Sequence, residues 1–562
     1  MKNDQIALLG EDIGGAGKEY LATSPGMTPV EKRVIAASSM GTIFELYDFF
    51  LVGALSTEIA QHFFSGVNPS AGFILALLGF AAGFVMRPFG GMVFGRFGDL
   101  FGRKRTILAT ILIMGTATFA IGLLPGFASI GLASPILFVI MRMLQGLAIG
   151  GEFGGAFIYV AEHGSKQDRG FRVSWVVSTG AGGLLLSLLV VLPLQHLLGE
   201  STFSDWGWRL PFLVSIVILL ISLWIRLKID ESPEFLRIKA EGGMSNAPIA
   251  ETLGQWKNLK LILIAVFGVM MGAVIIFYNG QLYTMFFLTK ALKVDASTTN
   301  ILVISATVLT APLYLASGKL ADLVGRKKVL IAGCLLGALF TMPLFKALTH
   351  YANPALERAE LEAPIVVSAD WEECAFQFDP TGTAKFTSSC DIVTSSLAKA
   401  GLNYRSMPLP RGQVARIQIG EDVVEGYRAS DTDAATKAAK FSALLAATAS
   451  KHGYGTGTAN KDEINIPMVL LILMALLSFG ALVFTASVTM LVEMFPTRIR
   501  YTAISIPYHL ASAVFGGFLP ATAFAIVAAT GNIYSGLWYP VAAAVVSMLV
   551  LVLFAKETKD AT

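Results

Sequence analysis

Gly95-Arg-Phe-Gly-Asp99-Leu-Phe-Gly102-Arg103-Lys104 and Gly318-Lys-Leu-Ala-Asp322-Leu-Val-Gly325-Arg326-Lys327 are two copies of one pattern. Glycine, aspartate, glycine, arginine and lysine recur at the same offsets, and each copy stands between two long apolar stretches. A basic turn duplicated in this way implies two halves built on one architecture.

Working outward, the chain is 54% hydrophobic and 14% charged, which sets it apart from soluble domains. Its net charge of +3 names no partner. Stretches able to cross about 30 Å of hydrocarbon lie near 34–60, 72–95, 105–124, 135–160, 171–198, 208–228, 259–288, 299–317, 329–349, 467–491, 502–529 and 534–555. The expected fold is therefore an all-α membrane protein of twelve helices in two six-helix halves, 34–228 and 259–555, joined by a central loop, 229–258. Alternate loops carry Arg103-Lys104-Arg105, then Lys166, Arg169 and Arg172, then Arg326-Lys327-Lys328, then Arg498 and Arg500. By the positive-inside rule these loops are cytoplasmic, together with the tails 1–33 and 556–562. Lys290 and Lys293 are the awkward pair on the other side. Residues 1–30 lack an apolar run and are expected to carry no cleavable signal peptide. The expected location is a bacterial inner membrane.

One segment breaks the symmetry. Residues 350–466, between the ninth and tenth spans, are polar and turn-rich, whereas the matching 125–134 is a short turn. Counting spans places this insertion in the periplasm. Pro364-Ile-Val-Val and Arg416-Ile-Gln-Ile read as strands and 433–450 as a helix, giving a small α+β domain. Cys374 and Cys390 stand in an oxidising compartment on this reading, as a disulfide or as two free thiols.

In each repeated turn the glycines permit a tight reversal, and Asp99 or Asp322 can accept hydrogen bonds from a helix N-terminus. Gly95, Asp99, Gly102 and Arg103, with Gly318, Asp322, Gly325 and Arg326, thus form a candidate cytoplasmic gate. Further segments are more specific: Gly41-Thr-Ile-Phe-Glu45-Leu-Tyr47-Asp48-Phe49, Arg87-Pro88-Phe-Gly90, Arg142-Met-Leu-Gln145-Gly146 with Gly150-Gly151-Glu152, Trp208-Arg209-Leu-Pro211-Phe212, Glu231-Ser-Pro233-Glu-Phe235 and Glu493-Met-Phe-Pro496-Thr-Arg498 with Arg500-Tyr501. In this order they resemble the metabolite:proton symporter family of the major facilitator superfamily. That resemblance implies a permease similar to those for α-ketoglutarate, citrate, shikimate and proline/betaine. It says nothing of the insertion, which departs from the family pattern.

Charges inside spans cost roughly 2.5–3.5 kcal/mol each on insertion scales, so they are functional candidates. Glu45 and Asp48 share a helix face, Arg87 stands in the second span, and Arg142, Gln145 and Glu152 fall on one broad face of the fourth. Three acids against two arginines leave one acid without a cation. Asp48, then Glu45, is the expected proton carrier. Arg142 is the expected ligand of a substrate carboxylate, through a bidentate contact. Arg87 is expected to pair with Glu152 or Glu45, and all five charges forming structural ion pairs is the alternative. Tyr47, and Asn279 and Tyr283 four residues apart in the seventh span, complete the candidate cavity.

The function expected from these residues is proton-coupled uptake of a small organic acid or zwitterion by alternating access, in a monomer. No cofactor, metal, nucleic acid or catalytic group is expected. A proton-coupled efflux transporter, or an insertion acting as a binding or sensing module, is the alternative.

Overall fold

A computed structural model of the chain describes residues 27–65, 69–165, 167–228, 230–375, 387–455 and 457–559. Most of the tail 1–33 therefore lies outside the described residues. The first long helix, Pro29–Ala54, starts at a capping box in which Thr28 and Glu31 satisfy each other's backbone N–H groups. It breaks at Leu55 and resumes as Ser56–Phe63. Among the described residues eleven helical stretches are long and apolar enough to cross a membrane. The helix Pro69–Phe101 stands where the second span is expected.

Several helices begin on the basic residues that topology assigns to loops. Arg103–Leu123, Arg169–Ser178, Arg326–Ala352 and Arg500–Ala511 all open on an arginine. Between consecutive helices the backbone reverses at Gly102 (φ 108°) and Gly325 (φ 114°), a region that a side chain would strain. The stretch Trp256–Ala291, where the seventh span is expected, is wound in part as π-helix, at Ala265–Met270, Asn279–Tyr283 and Phe287–Ala291.

Within the first half, Pro69–Phe101 lies against Ala133–His163 with backbones in contact. A Cβ on Gly146 would fall 2.0 Å from the Gly83 carbonyl oxygen. Small residues permit this approach where no hydrophobic force drives helices together. Leu189, Leu220, Ile301, Leu339 and Val552 are exposed, as surfaces facing acyl chains would be.

The insertion carries a four-stranded sheet: β1 (Ile365–Ala369), β2 (Arg405–Pro408), β3 (Arg416–Ile419) and β4 (Asp422–Glu425). Their order is β2-β1-β3-β4. The parallel pair β1/β2 is bridged by the helix Ser389–Ala400, and β3/β4 is a hairpin turning at Gly420-Glu421. Ile417 and Ile419 point inward while Arg416 and Gln418 face out. The helix Ala434–Lys451 buries Phe441, Leu445 and Ala449. Cys374 and Cys390 are joined, with Cα atoms 5.3 Å apart.

The domain sits at the end of the molecule opposite the basic turns. It is tied to the second half by Ala459 N–H to the Lys293 carbonyl (2.9 Å), Asn353 Nδ2 to the Leu292 carbonyl (2.9 Å), Tyr404 N–H to the Gly531 carbonyl (2.8 Å) and Lys461 to Asp295 (3.3 Å). The awkward Lys290 and Lys293 thus lie under the insertion, where a Cβ on Gly401 would meet both.

Candidate functional site

Two of the buried ion pairs in the first half hold candidate site residues. In one, Arg142 Nη1 meets Asp48 Oδ2 at 3.0 Å. Asp48 Oδ1 accepts from Gln145 Nε2 at 2.7 Å and from Thr118 Oγ1 at 2.9 Å, and the carboxylate is fully buried. Gln145 Oε1 also accepts from Arg142 Nη1 at 2.6 Å. Three helices therefore position one carboxylate: Pro29–Ala54 supplies Asp48, Arg103–Leu123 supplies Thr118, and Ala133–His163 supplies both Arg142 and Gln145.

In the other, Glu152 Oε1 meets Arg226 Nη2 at 2.8 Å. Counting three acids against two arginines omitted Arg226, which lies in the last turn of the helix Arg209–Leu227. A basic residue there resembles a topology anchor, and that is why the sequence hides it. With Arg226 included, Glu152 and Asp48 each have an arginine partner. Glu45 is buried, and its Oε2 finds no hydrogen-bond partner. Arg87 is its foremost countercharge. The Arg87 guanidinium lies 4.1 Å from the Phe84 ring centroid and reaches the Tyr278 hydroxyl.

Between the halves lies a cavity of about 60 Å³ that takes in Arg87, Leu46 and Phe50 from one side and Tyr278, Gln281 and Tyr314 from the other. Asn279 and Tyr283 do not line it. The π-helical winding of Asn279–Tyr283 alters the spacing of side chains, so a four-residue interval no longer marks one face. Tyr283 packs instead among Phe287, Phe345 and Phe524. Tyr47 is likewise fully buried, its hydroxyl donating to the Pro211 carbonyl at 2.6 Å.

At the basic-turn end the two copies do the same thing in opposite directions. Asp99 accepts from the backbone N–H groups of Tyr501 (3.1 Å) and Thr502 (2.9 Å), the first turn of a helix in the second half. Asp322 accepts from Gly170 (2.9 Å) and Phe171 (2.8 Å), the first turn of a helix in the first half. Orphan N–H groups and the positive end of the helix dipole both favour a carboxylate there.

Arg103 bridges Asp99 (3.5 Å) and Glu162 (3.4 Å), and Glu162 meets Arg500 across the halves at 2.9 Å. Arg326 bridges Asp322 (2.9 Å) and Glu493 (3.1 Å), and Glu493 meets Arg169 across the halves at 3.6 Å. Glu231 and Glu557 accept from the first N–H groups of the helices that follow Gly102 and Gly325. Sequence reading missed Glu162 and Glu557 in this network, although Glu162 precedes Arg169 by the interval that separates Glu493 from Arg500.

Comparison with known proteins agrees with this architecture. Residues 34–247 match the family model described as sugar (and other) transporter. The chain is 36% identical over 332 residues to the shikimate transporter of Escherichia coli (strain K12), covering 56% of this chain and 72% of that protein. It is 32% identical over 322 residues to the alpha-ketoglutarate permease of the same organism, covering 57% and 72%. A glycine betaine/proline/ectoine/pipecolic acid transporter of Dickeya dadantii (strain 3937) is 32% identical, with 56% and 64% covered. Among solved structures, the proton:xylose symporter XylE bound to 6-bromo-6-deoxy-D-glucose superposes with a TM-score of 0.57 at 17% identity, covering 94% of this chain and 96% of that one.

Proposed function

This chain belongs to the major facilitator superfamily, among its metabolite permeases, and on that premise we propose proton-coupled uptake of a small carboxylated solute. It is a multi-pass membrane transporter of small metabolites or osmolytes, not an enzyme. The finer reading rests on one observation, the buried Asp48–Arg142 pair with Gln145 and Thr118 around it.

A guanidinium held by a carboxylate at 3.0 Å is a carboxylate site already occupied from within. Protonating Asp48 removes its charge and releases Arg142. A substrate carboxylate then takes the place of Asp48. The proton and the anion enter together, because either one alone leaves a buried charge unbalanced. Glu45, next to Arg87 at the cavity, is the second proton-accepting candidate. Substrate binding and proton binding are thus coupled through one arginine.

The basic-turn end takes the cytoplasmic side in this reading, with both termini, and the insertion takes the periplasmic side of a bacterial inner membrane. Both inter-half latches are closed, so the conformation is shut toward the cytoplasm. Opening inward requires Asp99 and Asp322 to leave their helix N-termini while the outer side closes.

The test is uptake of labelled α-ketoglutarate, citrate, succinate, shikimate and glycine betaine into proteoliposomes under an inward proton gradient. Accumulation that a protonophore abolishes is expected for at least one of them. Uptake of none by folded, inserted protein would sink the proposal and turn attention to export.

A further inference from the structure

Tyr501 reaches from the second half into the first. It is fully buried in the first turn of the helix Arg500–Ala511, and its hydroxyl donates to the Gly151 carbonyl at 2.6 Å. The ring lies in a slot between Pro69–Phe101 and Ala133–His163. A Cβ on Gly98 would fall 2.3 Å from Tyr501 Cδ2, and one on Gly155 would fall 1.9 Å from its hydroxyl oxygen. Glycine on both walls lets the ring in, and the Gly151 carbonyl satisfies the hydroxyl that the ring carries with it.

Behind the tip of the ring lies the Glu152–Arg226 pair. Gly151 is the residue before Glu152. Ile107, whose Cγ1 would stand 3.1 Å from the Cβ on Gly155, offers its carbonyl to Arg226 Nη1 at 3.5 Å. The charges of both Glu152 and Arg226 act on the phenol. The second half supplies a comparison. Placing Glu493 on Glu162 carries Val483 onto Glu152, Ala486 onto Gly155 and Tyr501 onto Gly170. Asp322 accepts from Gly170 as Asp99 accepts from Tyr501, yet there the seam closes backbone on backbone, a Cβ on Gly170 falling 2.7 Å from the Gly318 carbonyl oxygen. Latching an aspartate to a helix N-terminus therefore does not require the tyrosine. The tyrosine stands at the seam whose facing helix carries a buried charge, and glycine stands where that helix carries Val483.

We propose that Tyr501 is a plug. With the halves together at the basic-turn end it keeps water from the Glu152–Arg226 pair, and its withdrawal with the helix Arg500–Ala511 admits water to that pair. It is a positioning residue, acting through Glu152 and Arg226. Attraction between two charges weakens several-fold when water reaches them, so the strength of this pair follows the state of the gate. The proposal rests on the function proposed above only in taking the halves to part at that end.

Two fully buried positions report separately on the plug and on the halves. Thr110 shares the Ile107 carbonyl with Arg226, behind the slot. Ser174 lies at the other seam, where a Cβ on Gly318 would fall 2.7 Å from its hydroxyl oxygen. The experiment is modification of Thr110→Cys and, separately, of Ser174→Cys in the reconstituted full chain. A membrane-impermeant methanethiosulfonate is added at the basic-turn side, and rates are taken over that of the parent chain.

Tyr501→Ala should raise modification of Thr110→Cys about tenfold or more and leave Ser174→Cys unchanged. Tyr501→Phe, which fills the slot and gives up one hydrogen bond, should raise it by about fivefold at most. Gly155→Ala keeps the tyrosine but denies it the slot, and should raise Thr110→Cys modification even where Tyr501→Ala does not fold. Asp99→Asn, which loosens the latch, should raise both cysteines. Thr110→Cys unchanged by Tyr501→Ala and Gly155→Ala, but raised by Asp99→Asn, overturns the plug and leaves the gate reading standing. An equal rise of both cysteines with Tyr501→Ala also overturns it, since Tyr501 then only holds the halves together. The expected Tyr501→Ala result with neither cysteine raised by Asp99→Asn keeps Tyr501 as the seal and removes the latch.

Discussion

Glu162 and Glu493 occupy equivalent places in the two halves, and each carboxylate joins an arginine of its own half to an arginine of the other. Glu162 sits between Arg103 and Arg500, and Glu493 between Arg326 and Arg169. The two crossings run in opposite directions, one from the first half to the second and the other back. Two pseudo-symmetric ionic bridges therefore tie the halves together at one end of the molecule. A bridge with buried charges is costly to leave half-made.

The first prediction concerns the gate. Asp99 is buried to 1% and Asp322 to 6% exposure, and each satisfies two helix N–H groups. Asp99→Asn keeps one acceptor and loses the charge that the helix dipole favours, an effect of about 1–2 kcal/mol. Alkylation from the basic-turn side of a cysteine placed at Thr502 should rise about tenfold in that variant. Labelling that does not change would mean that Asp99 holds nothing shut.

The second concerns coupling. Asp48→Asn leaves Gln145 and Thr118 a hydrogen-bonding partner but permanently frees Arg142 of its internal anion. Exchange of solute across the membrane should persist while accumulation driven by the proton gradient disappears. Arg142→Lys, which gives up the planar fork, should abolish both. Accumulation by Asp48→Asn at the wild-type level would remove Asp48 from proton coupling and leave Glu45 as the candidate.

Which parts of this were legible in the sequence follows from the physics of each signal. The duplicated turn is legible because glycine at φ 108° and 114° and an aspartate facing a helix N-terminus leave few substitutes. The spans are legible from length and hydropathy, and β1, β3 and the helix Ala434–Lys451 from their periods. Arg226 was not legible, because an arginine in the last turn of a span resembles a snorkelling anchor until Glu152 is seen beside it. Asn279 and Tyr283 misled for another reason: an interval of four marks a face only where the winding is α-helical. Long-range pairing and local winding are what sequence periodicity does not carry.

The third prediction separates the insertion from transport. Closing the loop between Cys374 and Cys390 removes freedom from the unfolded domain and stabilises it by about 3 kcal/mol in the chain-entropy account. Reduction, or Cys374→Ser with Cys390→Ser, should lower the unfolding temperature of the insertion, followed by exchange protection of β1 and β3. The insertion contacts described here lie on the second half, so solute uptake should change little. Uptake lost while the membrane helices remain folded would place the disulfide within the transport cycle.

The last prediction turns on Gly41. A Cβ at that position would fall 1.5 Å from Arg226 Nη2 and 2.5 Å from Glu152 Oε1. The guanidinium cannot retreat cheaply, since Arg226 and Glu152 are buried and paired at 2.8 Å. Gly41→Ala should therefore break the pair and leave an uncompensated charge, a loss of about 3–5 kcal/mol. Arg226→Met should cost a similar amount, because it strands Glu152. Adding Glu152→Gln to Arg226→Met should recover much of the loss, since removing both charges removes the need for pairing. Gly41→Ala should gain nothing in that double background beyond relief from the clash, so its penalty there becomes smaller. Melting of the purified variants followed by tryptophan fluorescence measures all four. A Gly41→Ala variant as stable as wild type would show that the glycine does not make room for the Arg226–Glu152 pair.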